Sequence, residues 1–237
     1  MKYIYGPLIS RRLGISLGVS LIKHKTCDFD CVYCQLGETS IRTKERKEYA
    51  DKDEVLSEIK QWLKVNPKEK IDYITLSGCG EPTLNIKTGE IIREIKTITS
   101  IPIAAITNSS LLIDPDVRRT LLLADLVVPS LDAAVQDVFN KIDRPLEGIR
   151  VDQIIDALIE FRKVYGGKIW LEVMLAKGIN DDLGHVRKLN EVILKINPDK
   201  IQLNTPVRHT AVAGIKPPDK RRLNKIKEIL GPKCEIL

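Results

Sequence analysis

Cys27-Asp28-Phe29-Asp30-Cys31-Val32-Tyr33-Cys34 is the stretch on which the fold and the chemistry turn. Three of the chain's five cysteines fall here, in the spacing C-x3-C-x2-C. Three thiolates so close together hold one iron–sulfur cluster without filling it, because a 4Fe–4S cube ordinarily takes four cysteine ligands. One iron is then left open for chemistry. Two other readings compete. Structural zinc is bound by Cys and His, and His24 is near enough to be a fourth ligand, but such sites usually pair C-x2-C units across a longer loop and only one unit is present. A thioredoxin-like pair needs only Cys31 and Cys34 and leaves Cys27 without a role.

Outward from this loop, strand and helix signals alternate. Leu17 to Ile22 is a mixed apolar segment that runs into the cysteines. Val55, Leu56, Ile59, Trp62 and Leu63 make one helical stripe within Asp53 to Leu63. Buried strands are expected at Ile71 to Leu76, Ile101 to Ile106, Leu126 to Val128, Ile169 to Leu175 and Lys200 to Leu203. Helical stripes lie between them, at Ile91 to Ile98, Val151 to Ile159 and Val186 to Ile196, with a last one at Leu223 to Leu230. Asp114-Pro115 opens a further helix with a cap and an N1 proline, and Gly231-Pro232 ends the last. Six strand–helix units in series predict a parallel sheet covered by helices. Right-handed crossovers would curl such a sheet into part of a barrel, although spacing alone also permits a flat doubly wound sheet. The chain reads as one unit over 1–237, with an N-terminal extension at 1–16, a core at 17–208 and a C-terminal helix and strand at 209–237.

The composition is 43% hydrophobic and 30% charged over 237 residues, which is ordinary for a soluble domain with a substantial core. No apolar run approaches the ~18 residues of a membrane span, and Met1 to Pro7 lacks a secretory pattern. A cytoplasmic location is expected, where thiols stay reduced and a cysteine cluster binds metal rather than forming disulfides. The net charge of +6 permits an acidic partner such as RNA, but most Lys and Arg alternate with acids on helical faces.

In strand–helix barrels the reactive groups gather after the strands, and each strand is followed by a polar turn. Ser77-Gly78-Cys79-Gly80-Glu81-Pro82 offers backbone for close approach and a carboxylate. Thr107-Asn108-Ser109-Ser110 follows the third strand, Ser130-Leu131-Asp132-Ala133 the fourth, and Phe139 to Pro145 comes shortly after. Asp132 has acceptors for two hydroxyls, and Arg144 has the fork that suits a carboxylate. Met174 and Leu175 end the fifth strand, and Asn204, Thr205 and Arg208 sit at the rim of the sixth. Arg11 and Arg12, with Arg208 and His209, are candidate substrate contacts. Cys79 is read as a small residue in a glycine position, with a thiol role left open, and Cys234 as a buried strand residue. Two scattered cysteines are too few for a second dedicated cluster.

The C-x3-C-x-aromatic-C loop, with these turns in order, resembles the radical S-adenosylmethionine (SAM) superfamily, and within it a stand-alone subgroup beside the tRNA wyosine-base synthases. The resemblance runs from about Gly6 to Arg208. It implies a partial (β/α)6 TIM-type barrel as the fold. It implies that Cys27, Cys31 and Cys34 hold a 4Fe–4S cluster and that SAM chelates the open iron. Reductive cleavage would yield a 5′-deoxyadenosyl radical that takes hydrogen from a substrate. Tyr33 would pack beside SAM; Gly78, Cys79, Gly80 and Glu81 would bind its amino group. Asn108, Ser130, Asp132, Arg144, Met174, Leu175 and Asn204 would complete the cofactor contacts. A low-potential donor such as ferredoxin or flavodoxin is implied. The substrate is expected to be a tRNA base, with a protein or peptide as the alternative. A non-catalytic iron–sulfur or zinc protein is the rival of another class. Related chains often continue into a winged-helix-like segment beyond the point where this sequence ends, which bears on any RNA role.

Overall fold

A computed structural model describes residues 1–237. Strands β1 (Ile4–Ser10) and β2 (Gly14–Ser20) form an antiparallel hairpin. The short strands β3 (Thr26–Cys27) and β4 (Ile41–Arg42) pair with each other beneath the cysteine loop. Then come α1 (Lys52–Val65), β5 (Tyr73–Ser77), α2 (Thr88–Ile98), β6 (Ile103–Thr107), α3 (Pro115–Leu121) and β7 (Leu126–Pro129). The chain continues through α4 (Gln136–Ile142), α5 (Val151–Val164), β8 (Lys168–Met174), α6 (Leu183–Ile196), β9 (Lys200–Asn204), α7 (Lys220–Leu230) and β10 (Cys234–Ile236).

The sheet order is β1-β2-β5-β6-β7-β8-β9-β10, parallel from β2 onward. A doubly wound sheet reverses its strand order at a switch point; here the order never reverses. Every crossover therefore advances in one direction, and the sheet is a partial barrel whose edges, β1 and β10, are not joined. The expected six strand–helix units are present, followed by β10, where Cys234 is 4% exposed. One expectation changes. The first strand begins at Gly14 rather than Leu17, and residues 4–10, expected as an extension, are the hairpin partner of that strand. The sequence there is broken by Gly6-Pro7 and by exposed Leu8 and Ile9, so it lacks the alternation that marks a half-buried strand.

Helix starts follow local chemistry. The side chains of Asp51, Asp114, Asp182 and Asp219 each accept a backbone N–H of the first turn of α1, α3, α6 and α7. The helices cover the outer face of the sheet, where Ile59, Ile91, Ile95, Val127, Leu158 and Leu171 belong to one continuous core. The inner face carries a second, smaller apolar cluster of Leu13, Ala104, Leu126 and Val128, against which Tyr73 and Trp170 pack. Above it the interior turns polar. Arg12 pairs with Glu172, Asn204 donates to Glu172 Oε1 at 3.2 Å, and Ser16 meets Thr75 at 2.6 Å. The apolar layer closes the barrel at the strand starts and leaves the strand ends for the site. No helix is long and apolar enough to cross a membrane.

Candidate active site

The cysteine loop lies on a bed made by the end of α4. The Asp30 N–H reaches the Asp143 and Arg144 carbonyls at 3.1 and 3.2 Å, Val32 N–H the Ile142 carbonyl at 2.9 Å, and Leu146 N–H the Asp28 carbonyl at 2.8 Å. Thr39 closes the far end: its N–H donates to Asp30 Oδ1 at 2.7 Å and its hydroxyl to the Phe29 carbonyl at 2.8 Å. Cys27, Cys31 and Cys34 are all free thiols and half-buried.

The glycine turn after β5 is laid against the same loop. Glu81 N–H donates to the Thr26 carbonyl at 3.1 Å, and a Cβ on Gly80 would sit 2.0 Å from that oxygen. Gly78 adopts φ of +113°, which favours glycine. Cys79 is half-buried and anchored by its N–H on Ser20 Oγ at 3.2 Å. Glu81 is 2% exposed, and its carboxylate accepts from Thr83 N–H and hydroxyl, the Thr107 hydroxyl and Asn108 N–H. It therefore orders two turns rather than projecting into open space. Burial outweighs these donors and pushes its pKa up to about 7.

The turns after β6 and β7 meet over the pocket. Ser109 takes the left-handed conformation, φ of 71°, where a glycine would be commoner, and its hydroxyl donates to the Ser130 carbonyl at 2.7 Å. Asn108, Ser130 and Asp132 line a narrow pocket with Tyr33 and Asp143. Asp132 is 2% exposed; Oδ1 accepts Met174 N–H at 2.7 Å and Oδ2 accepts the Tyr33 hydroxyl. Burial, reinforced by Asp143, pushes Asp132 well above the carboxylate range. Asp143 lies 3.3 Å from both the Cys31 sulfur and the Tyr33 hydroxyl, and burial pushes it up to about 6. Burial likewise raises Cys27 and Cys31, with Asp28 the next cause for the first and Asp143 for the second.

The remaining expected contacts divide. Met174 is buried beside Asp132, its N–H donating to Asp132 Oδ1, whereas the Leu175 side chain packs in the outer core. Asn204 is 1% exposed and lies between Arg11, at 2.8 Å, and Glu172. Arg144 is exposed, with φ of 45°, and its carbonyl receives Arg42 at 2.6 Å; it stands outside the pocket. Arg11 and Arg12 reach across the barrel opening, and Arg208 contacts Gln35 at 3.3 Å. Three residues that sequence reasoning passed over belong here. Asp28 is fully buried in the cysteine loop, Asp143 was overshadowed by its neighbour Arg144, and Asn180 donates to the Asp132 and Met174 carbonyls at 2.9 and 2.7 Å. The only signal for the acids was their position inside quoted motifs.

A model of the radical SAM superfamily matches residues 21–189. The chain is 43% identical over 235 residues to a Brachyspira hyodysenteriae protein named GTPase Obg, covering 99% of this chain and 34% of that protein. It contains no G-x-x-x-x-G-K-S/T phosphate loop of its own. It is 37% identical over 235 residues to a UPF0026 protein of Methanocaldococcus jannaschii, covering 98% and 73%. It is 27% identical over 222 residues to a Thermotoga maritima protein named probable dual-specificity RNA methyltransferase RlmN, covering 89% and 61%. Its fold is similar to that of a radical SAM methyltransferase from Sphaerobacter thermophilus, with a TM-score of 0.69 at 18% identity, covering 94% of this chain and 65% of the other. The chain thus spans about a third of the length of the Brachyspira relative, 34%, and about three quarters of the Methanocaldococcus one, 73%.

Proposed function

Because the chain belongs to the radical SAM superfamily and, within it, to the UPF0026 proteins, we propose that Cys27, Cys31 and Cys34 hold its 4Fe–4S cluster and leave one iron for SAM. The residues present fit both groups. Three free thiols lie within eight residues of one loop, and a cube takes each thiolate on a different iron. Asp28, Glu81, Asp132 and Asp143 are all buried around the thiols, and burial raises all four. Such a site favours a positively charged guest, and SAM carries a sulfonium and an ammonium. Asp28 Oδ2 is buried without a partner, so the cysteine loop itself holds an unused acceptor. This concentration of four buried acids around three thiols, with one carboxylate oxygen left unpartnered, is the observation that carries the reading.

When bound, the reduced cluster supplies the electron that splits SAM into methionine and a 5′-deoxyadenosyl radical, which takes hydrogen from a substrate. The chain's own residues bind, orient and shield. Ser130 and Asp132 present a hydroxyl and a carboxylate to the ribose and methionine parts. Met174 supplies an apolar wall, and Tyr33 packs beside SAM while its hydroxyl restrains Asp132 and Asp143. Gly78, Cys79 and Gly80 give backbone access near the thiols, and Glu81 and Asn108 hold their turns in place. The whole of 1–237 acts as one unit, since a single sheet runs from Ile4 to Ile236.

The substrate reading is a tRNA base, with the protein placed beside the wyosine-base synthases. The net charge of +6, the exposed cations Arg11 and Arg208 at the barrel opening, and similarity to a protein named as an RNA methyltransferase support it. Binding of bulk tRNA to the reconstituted protein tests it: the logarithm of the association constant should fall linearly with the logarithm of salt concentration. Affinity that is absent at low salt, together with capture of a protein or peptide that stimulates SAM cleavage, would replace RNA with that alternative.

A further inference from the structure

The sulfur of Cys27 sits in an environment that its two partners lack. Two N–H groups point at it, Asn108 Nδ2 and the backbone N–H of Phe29, each at 3.5 Å. A carboxylate oxygen lies farther from it, Asp28 Oδ1 at 3.8 Å, whereas the Cys31 sulfur has a carboxylate oxygen, Asp143 Oδ1, at 3.3 Å. The orientation of the Asn108 amide is fixed by its surroundings. Its Oδ1 lies 3.0 Å from the Ser110 backbone N–H, which can only donate, and 2.7 Å from the Ser110 hydroxyl. The oxygen must therefore face Ser110, and the NH2 group must face the other way. There one N–H donates to Asp28 Oδ1 at 2.7 Å, which leaves the second for the Cys27 sulfur. Asp28 is fully buried and cannot drift from this position without moving the loop. Every hydrogen-bonding group of the Asn108 side chain is thus in use, and the side chain acts on the site through Cys27.

Resting on the assignment of Cys27 as a cluster ligand, we propose that Asn108 is a positioning residue that raises the reduction potential of the cluster by donating a hydrogen bond to the Cys27 thiolate. The physical reason is charge. Reduction adds an electron whose density spreads onto the thiolate sulfurs, and an N–H dipole aimed at a sulfur stabilises the electron-rich state more than the oxidised one. Ser110 and Asp28 fix the aim. The effect is directional: without the amide the cluster should be harder to reduce, whether or not SAM or a substrate is present.

The test uses the full chain, reconstituted anaerobically as wild type, Asn108→Ala, Asn108→Ser and Cys27→Ala. Iron and sulfide are counted, and the one-electron midpoint is read from a redox titration followed by electron paramagnetic resonance. Asn108→Ala removes the donor. Asn108→Ser removes the amide N–H and leaves a hydroxyl one bond shorter, adds no charge, and keeps an oxygen that can cap the Ser110 N–H, as hydroxyls do in such turns; it serves if the alanine variant fails to hold iron. Both are expected to bind about four irons per chain. Their reduced-to-oxidised ratio at a fixed potential should fall about tenfold, equivalent to a midpoint lower by about 60 mV. A fully loaded Asn108 variant with the wild-type midpoint overturns the proposal. A Cys27→Ala protein that keeps its full iron and sulfide overturns the ligand assignment beneath it, so metal content and midpoint tell the two failures apart.

Discussion

Gly80 has no room for a side chain. Its Cβ would press on the Thr26 carbonyl, one residue before Cys27, and that backbone cannot yield without moving the cysteine loop. Gly80→Ala should cost about 1–3 kcal/mol, the usual range for overpacking, and should lower the iron retained after reconstitution. Urea denaturation of the apoprotein and iron analysis check the two halves, and wild-type values in both would contradict the packing account. The same scale shows why some site residues were hard to read. Asp143 and Arg144 stand side by side in a motif, and the arginine has the more conspicuous chemistry. Only the fold reveals that the end of α4 is a backbone bed, which turns Asp143 toward Cys31 and Tyr33 and leaves Arg144 in solvent. Asp132 and the three cysteines were legible because their spacing and their place after strands are local facts.

At the scale of elements, the β1–β2 hairpin does two jobs. Leu13 plugs the base of the barrel, and Arg12 crosses the opening to Glu172, which is 4% exposed. Arg12→Ala would leave that carboxylate buried without its cation, an expected loss of about 3 kcal/mol. Adding Glu172→Gln should recover part of it, and a double variant no more stable than the single one would deny the coupling. This hairpin escaped sequence reading because its value lies in contacts with β8 and β9, more than 150 residues away. The start of α6 offers a pH test. The His185 Nε2 accepts the Ala134 N–H at 3.1 Å, just past Asp132, so the ring must be unprotonated there. Burial lowers its pKa below 6.5. The stability carried by this contact is therefore complete above about pH 6.5 and is lost as pH falls through the lower folded value. The buried carboxylates Glu81 and Asp143, raised by burial to about 7 and about 6, act in the opposite sense over the same range, so His185→Asn should make the unfolding free energy rise more, or fall less, than in the wild type as pH drops from about 7 to 5; an unchanged slope would deny the His185 contribution.

Over the whole molecule, one strand order organises everything. Because β2 to β10 advance without reversal, all the strand ends face one way, and turns far apart in sequence become neighbours around the cysteine loop. Alternation of strand and helix made the parallel sheet legible, since strands buried on both faces read as plain apolar runs. It did not distinguish a curled sheet from a flat one; that required the family resemblance, and the strand order agrees with it. The polar interior was not legible as a network, because Glu172, Gln202 and Asn204 sit at alternate positions among mostly apolar strand residues, and Arg11 and Arg12 reach them from the hairpin. The measurement that tests the central claim most directly is anaerobic reconstitution with iron and sulfide, reduction with dithionite, and assay of 5′-deoxyadenosine from SAM, in the presence of bulk tRNA. The expected result is about four irons per chain and deoxyadenosine formation that disappears when Cys27, Cys31 or Cys34 is replaced by alanine. Deoxyadenosine formation that survives any of these replacements, or a chain that takes up zinc and leaves SAM intact, would contradict it.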